Sequence, residues 1–135
     1  MAKGKYILCI DDDEDDSSLL GEAIRKEDPS LTLLFKKSGD EAVEFLVNAI
    51  KDNDLPELII LDNNMPGMDG QETLVQIQKL LGPTFIPLLF LSTNPSPYDM
   101  QLAESRNVTV FTKPNSMSGY DDITKTIFQS LLKGD

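Results

Sequence analysis

The chain has 135 residues, with 12 lysines and arginines against 23 aspartates and glutamates, a formal charge of −11 and no histidine. That balance argues against nucleic acid or an anionic membrane as the main partner, because phosphate binding is driven by basic residues, and it favours a cation or a basic protein surface. The missing histidine removes imidazole acid–base catalysis and most zinc sites, and the length fits one domain over residues 1–135.

In chain order, Tyr6 to Ile10 reads as a first strand that stops at the acidic run Asp11 to Asp16. Cys9 lies inside that apolar strand as a buried filler. The later acidic residues, Asp15 and Asp16, are placed to cap a helix whose apolar side is Leu19, Leu20, Ala23 and Ile24, ended by Asp28-Pro29. Leu31 to Phe35 is a second strand. Ala42, Val43, Phe45, Leu46, Ala49 and Ile50 recur at helical spacing from Gly39 to near Asn53. Leu58 to Leu61 is an uninterrupted apolar run, the signature of a strand buried on both faces, and Asp62 follows it directly. Met65-Pro66-Gly67 turns the chain, Asp69 is placed to cap the next helix, and Thr73 to Leu81 runs to a stop at Gly82-Pro83. Pro87 to Leu91 is a fourth strand, Tyr98 to Ser105 a short helix, Val108 to Thr112 a fifth strand, and Ile123 to Leu132 a closing helix. Tyr98 and Tyr120 read as exposed. No apolar run approaches the about 18 residues of a membrane span and the sequence shows no signal-peptide pattern, so the expectation is a soluble, cytoplasmic protein.

Five strands alternating with five helices predict an α/β fold with a doubly wound parallel sheet. In such a sheet the residues following the strands share one edge: Asp11 and Asp12, Asp62 and Asn64, Ser92 and Thr93, and Lys113. Three carboxylates meeting there repel one another, which calls for a hard divalent cation with oxygen ligands, best matched by Mg²⁺. Lys113 supplies a second positive charge that can pair with Asp62. A carboxylate so flanked is equipped to attack phosphorus, and Ser92 or Thr93 is placed to donate to the transferred group.

The set CIDDDEDD, SGDEAVEFL, LIILDNNMPGMDG, PLLFLSTN and VFTKP, in this order across nearly the whole chain, resembles the receiver domain of two-component response regulators. The resemblance implies a flavodoxin-like sheet ordered 2-1-3-4-5. Asp62 is then the phosphoacceptor, taking phosphoryl from a phosphohistidine on a histidine kinase or histidine phosphotransfer protein. Asp11, Asp12, Asp62 and the backbone carbonyl of Asn64 would hold Mg²⁺. Ser92 matches the switch hydroxyl, with Thr93 second, and Lys113 the phosphate-contacting lysine. The family's usual aromatic three residues before the lysine is replaced by Val110, with Phe111 beside it, and Arg106-Asn107 replaces the usual Gly-Ala.

With no output domain expected after the last helix, the chain reads as a stand-alone, non-enzymatic switch acting on an unknown downstream protein as a monomer or homodimer. The alternative within the family is a degenerate receiver that binds partners without phosphorylation. A haloacid-dehalogenase-type phosphatase needs an acid where Asn64 stands, and a flavin or nucleotide carrier needs a first loop richer in amides and hydroxyls than in carboxylates.

Overall fold

A computed structural model of the chain describes residues 5–62 and 70–131. The elements run β1 (Tyr6–Ile10), α1 (Glu14–Glu27), β2 (Thr32–Lys36), α2 (Gly39–Lys51), β3 (Leu58–Asp62), α3 (Gly70–Leu81), β4 (Leu88–Ser92), α4 (Pro97–Ser105), β5 (Thr109–Thr112) and α5 (Met117–Thr126), the last continued by a π-helical turn over Ile127–Leu131. The strands pair in parallel in the order β2-β1-β3-β4-β5. This is the flavodoxin-like sheet expected.

Strand alternation divides the core between the two faces of the sheet. Ile7, Cys9, Leu58, Ile60, Leu89 and Leu91 pack with Leu20, Ala23 and Ile24 of α1 and Tyr120 and Ile123 of α5. Leu8, Ile10, Ile59, Leu61 and Phe90 pack on the other side with Ala42 and Leu46 of α2 and Leu74, Ile77 and Leu81 of α3. β1, β3 and β4 are buried along their whole length, which is why their sequences show no polar alternation. Among the described residues no helix is long and apolar enough to cross a membrane.

Several boundaries differ from the sequence expectation, each for a local reason. α1 is capped by Asp13, whose Oδ1 accepts from the Asp15 amide at 3.0 Å, rather than by Asp15 or Asp16. α5 starts at Met117, six residues ahead of Ile123, because Ser116 caps it by accepting from the Gly119 amide. Tyr120 is buried on α5 in contact with the sheet, not exposed as its polar sequence neighbours suggested, whereas Tyr98 is exposed as expected. β5 begins at Thr109 because the Val108 amide instead bonds Ala103 O at 2.8 Å, closing the end of α4. There Asn107 takes φ 60°, so asparagine makes the left-handed turn that a glycine commonly makes. The expected turn at Met65-Pro66-Gly67 and the Asp69 cap lie outside the described residues.

Tyr6 ties the start of β1 to the segment before β3, its hydroxyl donating to Asp54 O at 2.6 Å. Burial, with the Asp54 carboxylate adding to it, pushes the phenol up to about 12. A phenol raised in the folded state contributes stability that is complete below its unfolded value near about 10 and is lost as pH climbs through the folded one. The stability advantage of the parent over Tyr6→Phe, read by urea denaturation, is therefore expected to hold at pH 8 to 9 and to vanish towards pH 12. Burial likewise raises the Cys9 thiol, with Asp11 adding to the shift, so Cys9 stays a neutral core side chain.

Candidate functional site

The carboxyl ends of the strands bring three aspartates together. Asp11 follows β1, its backbone amide fixed to Lys36 O of β2 at 3.0 Å. The Asp13 amide donates to Asp11 Oδ1 at 2.9 Å, folding the acidic loop back on itself. Asp62 is the last residue of β3, level with Leu91 of β4, and only 2% exposed. Asp11, Asp12 and Asp62 each present a carboxylate oxygen, and these oxygens all lie within 4.8 Å of one another. Asp12 is exposed and Asp11 half-buried, so solvent softens the repulsion for those two more than for Asp62.

Lys113 reaches into this group from the end of β5. Its backbone amide donates to Ser92 O at 2.8 Å, extending the β4–β5 ladder by one step. Its ammonium lies 3.2 Å from Asp11 Oδ2 and 3.5 Å from Asp62 Oδ1, and the side chain is about one-tenth exposed. The next residue, Pro114, lies so close to Gly119 of α5 that a Cβ added there would meet the proline Cβ at 2.6 Å. Glycine at 119 thus lets α5 close over the turn that aims Lys113.

One ammonium among three carboxylates leaves an excess of negative charge. Two unit charges about 5 Å apart at an effective dielectric of about 20 repel by roughly 3 kcal/mol. A divalent cation with oxygen ligands meets that excess, and the donor set, carboxylates only, suits a hard ion such as magnesium or manganese. The sequence placed Asp11, Asp12, Asp62 and Lys113 at one edge, and the structure brings these four side chains together. Ser92 ends β4 and is buried, while Thr93 beyond it is exposed. Asn64, the expected carbonyl ligand, lies outside the described residues.

Val110 packs on the α2/α3 side of the sheet and Phe111 on the α1/α5 side, because neighbours on a strand face opposite ways. Phe111 therefore does not stand in for an aromatic at position 110. A contact that sequence reading missed is Gln71 of α3 donating to Asp99 of α4 at 2.6 Å. Of the two partners only Asp99 carries a sequence signal, the capping-box spacing of Ser96-Pro97-Tyr98-Asp99, which the structure forms.

Comparison with known proteins bears on the family and the fold. The family model for the response regulator receiver domain matches residues 7–125. The response regulator Rcp1 of Synechocystis is 32% identical over 92 residues, covering 67% of this chain and 63% of that protein. The transcriptional regulatory protein YrkP of Bacillus subtilis is 36% identical over 93 residues, covering 69% of this chain and 36% of YrkP. The chain thus spans less than two-thirds of the length of these curated relatives. Among solved structures, the phosphorylated cyanobacterial phytochrome response regulator RcpA superposes with a TM-score of 0.83 at 29% identity, covering 96% of this chain and 95% of that one. The Mn²⁺-bound form of Rcp1 superposes with a TM-score of 0.80 at 27% identity, covering 97% and 96%.

Proposed function

Because the chain belongs to the response regulator receiver domain family of two-component signalling, we propose that it is a phosphoacceptor switch in which Asp62 takes a phosphoryl group from a phosphohistidine. The donor is a histidine kinase or a histidine phosphotransfer protein. The observation that carries this reading is the meeting of Asp11, Asp12 and Asp62 within 4.8 Å, with the Lys113 ammonium against two of them.

A carboxylate oxygen of Asp62 attacks phosphorus, the P–N bond to the donor imidazole breaks, and the departing nitrogen keeps that electron pair and takes up a proton. Asp11, Asp12 and Asp62, with the Asn64 carbonyl, are the residues that would hold Mg²⁺. When bound, the ion supplies positive charge to the phosphoryl oxygens. The Mn²⁺ in the related Rcp1 supports a divalent ion in this place. Lys113 leaves its contact with the free Asp62 carboxylate for the new phosphoryl oxygens, and the Ser92 hydroxyl donates to one of them. Phosphorylated Asp62 carries about one more negative charge than the free side chain, so these contacts favour the modified state and bias the fold.

Asp62 is itself the group modified, and hydrolysis of the acyl phosphate returns it to the free carboxylate, so the chain acts as a switch on a downstream protein in the cytoplasm rather than as an enzyme on a separate substrate. A receiver that has lost phosphoryl acceptance finds no support here, since each side chain the transfer uses is present. The test is incubation with acetyl phosphate and Mg²⁺ followed by intact mass: one added phosphoryl group is expected with Mg²⁺ and none with excess chelator. Absence of the adduct with Mg²⁺ present rejects the reading.

A further inference from the structure

Among the described residues two carboxylates are buried, Asp62 and Asp99, and phosphoryl transfer as described uses only the first. Asp99 divides its oxygens between two elements. Oδ2 accepts from the Ser96 amide at 2.8 Å, while the Asp99 amide donates to Ser96 Oγ at 3.0 Å, completing the cap of α4. Oδ1 accepts from Gln71 Nε2 at 2.6 Å, and Gln71 lies in the first turn of α3.

A helix cap needs neither burial nor a partner on another helix, since capping carboxylates ordinarily face water. α4 also has little apolar anchorage, because Ala103 is the one other residue it buries fully. Gln78 of α3 bonds Arg106 at the far end of α4, at 3.1 and 3.2 Å, so the charged hydrogen bond from Gln71 is the tie at the end of α4 that lies nearer Ser92. The two ends of the bond matter for the site. α3 follows β3, which ends in Asp62, and Ser96 closes the four-residue segment after Ser92.

Resting on the phosphoacceptor reading, we propose that Gln71 and Asp99 form a positioning pair that anchors the start of α4, and with it the four-residue segment after Ser92, to the start of α3. That segment then keeps the Ser92 hydroxyl where the phosphoryl group on Asp62 meets it. Gln71→Ala removes the tie and leaves the α4 cap intact, because Asp99 Oδ2 keeps the Ser96 amide. A charged hydrogen bond of this kind is worth about tenfold or more in an equilibrium constant.

The experiment measures Mg²⁺ affinity, beryllium trifluoride affinity in the presence of Mg²⁺, and phosphoryl lifetime for the parent, Gln71→Ala, Gln71→Glu and Gln71→Lys. Expected are a Mg²⁺ affinity that stays within about twofold throughout, a beryllium trifluoride affinity and lifetime lowered about tenfold in the alanine variant and further in the glutamate variant, and recovery in the lysine variant, which restores a donor. A merely structural contact would lower melting temperature and leave those two readouts unmoved. Alanine and glutamate variants that match the parent, or a lysine variant as poor as alanine, overturn the pair alone. A parent that binds no beryllium trifluoride overturns the phosphoacceptor reading and the pair with it.

Discussion

Asp62→Asn is expected to abolish phosphoryl uptake from acetyl phosphate while leaving a folded chain. The amide nitrogen and oxygen of asparagine cannot form a stable acyl phosphate, so the loss is complete rather than graded. Stability moves little because two effects oppose. Asparagine removes one of three mutually repelling carboxylates, and it also neutralises one of the two carboxylates against which the Lys113 ammonium rests. Each is worth a few kcal/mol at most in this partly wetted pocket, and with opposite signs their sum stays within about 1 kcal/mol. Uptake by the variant at the parent's rate contradicts the assignment, and a variant that fails to fold shows that Asp62 serves the structure first.

Lys113→Ala has the second large effect, and it separates structure from chemistry. Without the ammonium, Asp11 and Asp62 lose the cation lying 3.2 and 3.5 Å from their oxygens, and three carboxylates face one another. In metal-free buffer the variant is expected to lose about 3 kcal/mol by urea denaturation, the cost of stranding a largely buried charge partner. Mg²⁺ then stabilises it, and a ligand at about a hundred times its dissociation constant adds about 2.7 kcal/mol. Phosphoryl transfer stays about 10² to 10³ slower even with saturating Mg²⁺, because the donor aimed at the equatorial oxygens is gone. A variant whose transfer rate returns with Mg²⁺ would reduce Lys113 to a charge-balancing role. Lys113→Arg is not expected to rescue fully, since a planar fork does not reproduce a compact ammonium.

The site was legible in the sequence wherever one chain segment sufficed to define it. Asp11 and Asp62 each end an apolar run, and a parallel sheet places all such ends on one edge, so topology converted linear position into proximity. Lys113 followed by the same logic, and its contact with Asp11 emerged only once the β4–β5 register was set. Strand order came from family resemblance rather than periodicity, since five apolar runs do not order themselves. The misread boundaries share a physical origin: Asp13 and Ser116 set helix starts through one side-chain hydrogen bond each, which leaves no mark on hydrophobic spacing. Tyr120 was misjudged because a single aromatic among polar neighbours has no period. Gln71 and Asp99 are 28 residues apart on different helices, and only the packing of those helices makes them partners.

Borohydride reduction of the phosphorylated chain, followed by peptide mapping, is the most direct measurement, because it converts an acyl phosphate to an alcohol at the residue that carried it. The expected result is reduction at position 62 alone, dependent on Mg²⁺ in the phosphorylation step. Reduction at Asp11, Asp12 or any other carboxylate, or none after incubation with acetyl phosphate and Mg²⁺, would contradict Asp62 as the acceptor.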